Sequence, residues 1–124
     1  LVKIMQTHST AGKMVTADIW VHKMPDWDRL NWICEKALKA SRMNVVDRVA
    51  HEFEPQGTTA VWILAESHMA IHTYPEENFM AVDVFTCGTE GDPAGVIVAL
   101  TDHLELSTMV VKETTRGNKD EYGG

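Results

Sequence analysis

Apolar and polar positions alternate with period two along "KMVTADIWVH" (13–22), with Val15, Ala17, Ile19 and Val21 on one side and Thr16, Asp18 and Trp20 on the other. This is the signature of a half-buried strand. Beyond Pro25-Asp26 the period changes: Leu30, Ile33, Cys34, Ala37 and Leu38 recur three and four residues apart, which predicts an amphipathic helix with one buried stripe. "NVVDRVAHEF" predicts a second strand, and Glu54-Pro55-Gln56-Gly57 a turn. The apolar, β-branched run "TAVWILA" (59–65) suits a central strand. Alternation then resumes, His68, Ala70 and His72 against Met69, Ile71 and Thr73, which leaves Glu66-Ser67 at or near a strand-to-strand turn. A break over 74–78, a strand "FMAVDVFTC" and a loop over 88–91 follow. Asp92-Pro93 can cap and open a second helix, proline being tolerated at the first helical position, with Val96, Ile97, Leu100 and Leu104 as its apolar stripe. "STMVVKETT" predicts a closing strand and "RGNKDEYGG" a polar tail with little to bury. The order strand, helix, several strands, helix, strand predicts an α+β two-layer sandwich, an antiparallel sheet with both helices on one face.

Composition narrows the function more than the fold. A chain of 124 residues with 44% hydrophobic positions and four tryptophans can bury one core, so a single domain over 1–124 is expected. The net charge of −7, with no basic stripe, argues against nucleic acid, whose phosphates need clustered Lys and Arg. It suits a small cationic or zwitterionic ligand better. No apolar run approaches the ~20 residues of a membrane span. The opening "LVKIMQTHSTAGKM" lacks the apolar core of a signal peptide. A cytoplasmic protein is therefore expected, with Cys34 and Cys87 as free thiols. By alternation or proximity, Trp20 and Trp62 fall on the sheet face that the helices leave open, a face that a two-fold partner would cover.

The chemistry-bearing residues are concentrated in "AESHMAIHTYPEENFMAVDVFTCG" (65–88). On a strand, His68 and His72 share a face but stand roughly 13 Å apart, too far to hold one metal ion, and no metal is expected. Taken singly, Ser67 is a turn residue, each histidine a strand imidazole and Cys87 a small buried hydrophobe. Together they prescribe no one mechanism, and the strand-turn-helix context of a GxSxG nucleophile is missing. Their order says more. Glu-Ser-His, then His-Thr-Tyr-Pro-Glu, then Asp-Val-Phe-Thr-Cys-Gly resembles the core motif of the bacterial and archaeal S-adenosylmethionine decarboxylase proenzymes. The resemblance extends back through Phe53, Pro55, Gly57 and Thr59, and more loosely over the order of elements. "AGKMVTADIW" matches only part of the Gly-Lys/Arg-His-Leu start usual in that family.

The resemblance implies a self-processing, pyruvoyl-dependent decarboxylase. Cleavage between Glu66 and Ser67 would give chains 1–66 and 67–124, the Ser67 hydroxyl attacking the preceding carbonyl to exchange amide for ester. The family assigns the proton acceptor of processing to His72 and a supporting hydroxyl to Thr59, where serine is commoner. Residue 67 would become a pyruvoyl group that forms a Schiff base with the substrate amine and takes up electrons as carbon dioxide leaves. Cys87 matches the proton donor in catalysis. Phe53 and His72 match residues that sandwich the adenine, and Glu76 a carboxylate on the ribose hydroxyls. Tyr74, beside the ligand, replaces a usual tryptophan, and His68 has a supporting place. The implied reaction makes decarboxylated S-adenosylmethionine, the aminopropyl donor for spermidine and other polyamines, in a homodimer of processed protomers. Two alternatives stay open: a pyruvoyl-dependent ornithine or arginine decarboxylase on the same fold, and a non-catalytic small-ligand-binding homologue. The last would be expected to lack one of Ser67, His72 and Cys87, and all three are present.

Overall fold

A computed structural model describes residues 12–65, 67–87, 92–117 and 119. Along the chain run β1 (Gly12–Val21), α1 (Trp27–Ala40), β2 (Val45–Glu52), β3 (Thr58–Leu64), β4 (Ser67–Tyr74), β5 (Phe79–Cys87), α2 (Pro93–Thr101) and β6 (Leu106–Arg116), with one 3-10 turn (Pro75–Glu77) between β4 and β5. The strands form an antiparallel sheet in the order β2-β3-β4-β5-β1-β6. β2 to β5 is a meander, and β1 and β6 complete it on the β5 side. The α+β sandwich expected from the element order is thus found. Glu66, the 88–91 loop and most of the polar tail lie outside the described residues.

Periodicity translates directly into packing. Val15, Ala17, Ile19 and Val21 of β1, Met69 and Ile71 of β4, and Met80, Val82 and Val84 of β5 are buried in one core with both helices. α1 contributes the whole stripe expected of it, Leu30, Ile33, Cys34, Ala37 and Leu38. Its start is fixed by Asp26, whose side chain accepts a hydrogen bond from the Arg29 N–H at 2.9 Å, satisfying one of the free donors of the first turn. Burial, with the neighbouring Glu35 charge adding, pushes the Cys34 thiol far above its ordinary value. It stays protonated and acts as core packing. α2 departs from expectation at both ends. Asp92 stands at the N-cap position but makes no side-chain capping bond, and Pro93 alone marks the start, its fixed φ suiting the first helical position. The helix ends at Thr101, so Leu104 packs against the core from the turn that follows rather than from the helix.

The sheet has one covered and one open face. β3, expected as a central strand, is flanked by β2 and β4 but buries only alternate residues, Ala60, Trp62 and Leu64, whereas Ile63 is 46% exposed. Trp62 therefore corrects the sequence expectation. It lies beneath α1 at 0% exposure, and its Nε1–H donates to Glu35 Oε2 at 3.1 Å. In a continuous apolar run alternation has no polar phase to read, and the pairing with β4 decides which residues turn to the helices. Trp20 does face the open side, its ring 4.9 Å from that of Phe79, which in turn stacks on Tyr74 at 5.6 Å. Val49, Ile63, Tyr74 and Val110 on this face are exposed by 42% or more, an apolar surface of the kind that a partner covers. Trp62→Ala should destabilise the protein by about 3–5 kcal/mol, the cost of emptying a large aromatic site in a packed core. Chemical denaturation checks this, and a loss under about 1 kcal/mol would contradict the placement of Trp62 in the core.

Candidate active site

The motif residues divide between the two ends of β4. At the first end, β3 finishes at Leu64 and β4 starts at Ser67, the two residues being paired across the hairpin. The chain reverses direction between these two strands. Ser67 is half-buried and pairs on its other side with Thr86 of β5, next to Cys87. Alternation turns the Ser67 side chain toward the helix side, with Met69, and His68, Phe85 and Cys87 toward the open side. Ser67 is the first residue of its strand, so its backbone lies at the rim where the two sides meet. Cys87 closes β5, is half-buried and free, and pairs with Gly12 of β1.

At the second end, Thr59 and His72 are register partners, with Thr59 Oγ1 and His72 Nδ1 3.0 Å apart in a hydrogen bond. His51 pairs with Thr59 from β2, and its ring meets that of Phe53 edge-on at 4.5 Å. Phe53 is 50% exposed, at the start of the turn that returns into β3. That turn uses Gly57 at φ 97°, a conformation that side chains rarely adopt, and the Phe53 N–H donates to the Gly57 carbonyl at 2.8 Å. Tyr74 ends β4, and Glu76 stands exposed in the 3-10 turn after it.

One chain does not join these two groups. Five residues of strand separate Ser67 from His72, about 16 Å at the usual rise. Thr59, His72, Phe53, Tyr74 and Glu76 belong to one end, and Ser67, His68 and Cys87 to the other. Sequence spacing hid this, because the motif is contiguous along the chain while the extended strand carries its two halves apart.

Four further residues enter the picture through their places in the sheet. Asp83 and Asp18 lie on the open face, Asp83 opposite Ala70 and Thr16, at a level between the two histidines, and Asp18 opposite Ala81, level with His72. Their carboxylates give the middle of this face a negative field suited to a cationic ligand. Phe85 directly faces His68 across the β4–β5 pair, and Gly12 faces Cys87. Alternation in "VDVFTC" already put Asp83, Phe85 and Cys87 on one side. The places of Asp18 and Gly12 needed the long-range pairing of β1 with β5.

With this geometry in place, comparison with known proteins is specific. The family model for S-adenosylmethionine decarboxylase matches residues 13–117. S-adenosylmethionine decarboxylase proenzyme 2 of Bacillus cereus is 36% identical over 113 residues, covering 89% of this chain and 92% of that protein. A proenzyme of Thermococcus onnurineus is 36% identical over 94 residues, covering 76% of this chain and 67% of that protein. The crystal structure of the adenosylmethionine decarboxylase from Aquifex aeolicus superimposes with a TM-score of 0.78 at 26% identity, covering 87% of this chain and 92% of that one. An open-faced α+β sandwich with a serine-led hairpin defines the class. The chain belongs to the S-adenosylmethionine decarboxylase family.

Proposed function

We propose that this protein is a self-processing decarboxylase acting on S-adenosylmethionine, with residues 1–124 forming one catalytic domain. The observation that carries the reading is the meeting, at one rim of the sheet, of a hairpin serine with a half-buried thiol on the adjacent strand. In processing, the Ser67 hydroxyl attacks the Glu66 carbonyl, and the peptide C–N bond is replaced by an ester. Loss of the Ser67 Cα proton expels the Glu66 carboxylate, and hydrolysis of the remaining enamine releases ammonia and leaves a ketone at residue 67. The residues present fit such a group: Ser67 begins its strand, and Cys87 stands at the end of the neighbouring one. The pyruvoyl ketone supplies an electrophile for the substrate amine and an electron sink as carbon dioxide departs. Cys87 returns a proton to the substrate carbon, its thiol acting as general acid.

His72 and Thr59 act in processing, and Phe53, His72, Tyr74 and Glu76 bind the nucleoside. Phe53 and His72 stand on either side of β3, two strand spacings or about 10 Å apart, which leaves room for a flat base between their rings. Since these residues lie far from Ser67 within one chain, the reading requires two copies. A two-fold axis between stacked open faces and across the strands lays β4 on its own counterpart and inverts its direction. Cys87 and the rim backbone of Ser67 then face His72 of the partner subunit, and the apolar open faces are buried together. Each site of this homodimer is composite. No described helix is long and apolar enough to cross a membrane, and the reading places the enzyme in the cytoplasm with its thiols reduced.

The substrate is tested by carbon dioxide release from S-adenosylmethionine, ornithine and arginine supplied separately. S-adenosylmethionine is expected to be turned over fastest, and a preference for either amino acid would overturn the substrate assignment. Cys87→Ser should still cleave at residue 67 while losing roughly 100-fold or more in decarboxylation, because processing and turnover use different proton carriers. Gels and carbon dioxide release read the two steps separately, and equal loss of both would contradict that division.

A further inference from the structure

Phe85 occupies a position that its neighbours are shaped to give it. Its ring lies 5.7 Å from that of His68, its direct partner across β4 and β5, with 33° between the planes. On the other side it reaches over β1 at Gly12. A Cβ at that glycine would sit 2.3 Å from Phe85 Cζ and 2.5 Å from Cε1, inside any real contact distance. The gap left by Gly12 also brings the ring toward Arg116, which pairs with Gly12 from β6 and holds its guanidinium carbon 6.0 Å from the ring centroid. The ring is thus set between an imidazole and a cation, over a residue with no side chain to lift it. His68 follows Ser67 directly, and Cys87 lies two residues beyond Phe85 on the same side of β5.

We propose that Phe85, seated on Gly12, is a positioning residue that fixes the His68 imidazole and walls the space between residue 67 and Cys87. The seat is specific to a flat ring, since aromatic pairs gain from tilted contact in addition to area. The Phe85 ring packs beside the His68 imidazole and restricts its rotation. A displaced ring frees the imidazole and admits water to the place where the Cys87 proton must go to the substrate carbon rather than to solvent. Gly12 and Phe85 then act as a unit, whereas independent sites would act additively.

The inference rests on the proposed roles of Ser67 and Cys87, and its test separates the two. Gly12→Ala, Phe85→Leu, their combination and Phe85→Tyr are compared with the unaltered protein for cleavage and for kcat and KM on S-adenosylmethionine. Gly12→Ala and Phe85→Leu are each expected to lower kcat about tenfold with KM within about threefold. In the double variant the added methyl still meets the Thr86 backbone carbonyl at 2.9 Å, a contact that must shift, so Gly12→Ala should cost clearly less in the Phe85→Leu background than in the unaltered protein without its cost vanishing. Phe85→Tyr, which keeps the ring, should stay within about threefold of the unaltered kcat. Equal fold-losses from Gly12→Ala in both backgrounds, or a Phe85→Tyr variant as slow as Phe85→Leu, would overturn the inference. Should Gly12→Ala not fold, the contrast between leucine and tyrosine at 85 decides alone. The seat is also readable without turnover. In uncleaved Ser67→Ala protein, Phe85→Leu should shift the NMR resonances of the His68 ring protons, through loss of the ring current, and leave those of His51 in place. Unmoved His68 resonances would overturn the inference even in a protein without activity, a result that by itself would count against the proposed function instead.

Discussion

Two inactive variants, Ser67→Ala and His72→Ala, should recover activity when co-expressed, to about one quarter of the unaltered level. The figure follows from random pairing. About half of the dimers contain one chain of each kind, and in each of those one of the two composite sites combines an intact Ser67 with an intact His72 from the other copy. The remaining site of the mixed dimer carries both defects. The physical basis is the extended β4 strand, which places its first residue, Ser67, and its sixth, His72, at opposite ends of the sheet. Rotation of side chains does not close a gap of about 16 Å. Recovery would be read from carbon dioxide release by the purified mixed protein, with the cleaved fraction on a denaturing gel as an internal check. Absence of recovery in a mixture shown to contain mixed dimers would mean that each chain assembles its own site. It would then require β4 to be rearranged before reaction.

Ser67→Ala alone should abolish both cleavage and decarboxylation, the largest loss expected of any single substitution. Alanine keeps the β4 register with Leu64 and Thr86, so the fold persists. The nucleophile is gone, however, and with it the precursor of the ketone. A denaturing gel should show a single chain of 124 residues for the variant, against fragments 1–66 and 67–124 for the unaltered protein. Appreciable carbon dioxide release from the intact variant would contradict the account of both steps. Ser67→Cys provides a graded control. Its thiol can perform the acyl shift, so slow cleavage is expected where the alanine variant gives none.

The sequence made much of this legible, and for definable reasons. α1 and β1 were readable because polar residues punctuate their apolar stripes, as in α1, where the five expected positions are all buried, whereas the largely apolar α2 was marked by Pro93 at its start. The motif residues were readable because their order along the chain is distinctive. Trp62 was misplaced because its run has no polar phase, and the partner strand sets which side it faces. The separation of the motif into two clusters was implicit in strand geometry but masked by its contiguity. Gly12, which permits the Phe85 ring to cross β1, was out of reach. Its meaning arises from pairing with a strand some seventy residues further along the chain. Local periodicity carries no such information.

The central claim, that residue 67 is converted into a ketone by the chain itself, is tested most directly by the intact mass of the C-terminal fragment from purified, active protein. The account predicts a fragment lighter than a serine-initiated 67–124 peptide by the elements of ammonia, the atoms lost when the enamine is hydrolysed. A preparation that releases carbon dioxide from S-adenosylmethionine while residue 67 remains an unaltered serine, either at the start of a fragment or within an uncut chain, would contradict it.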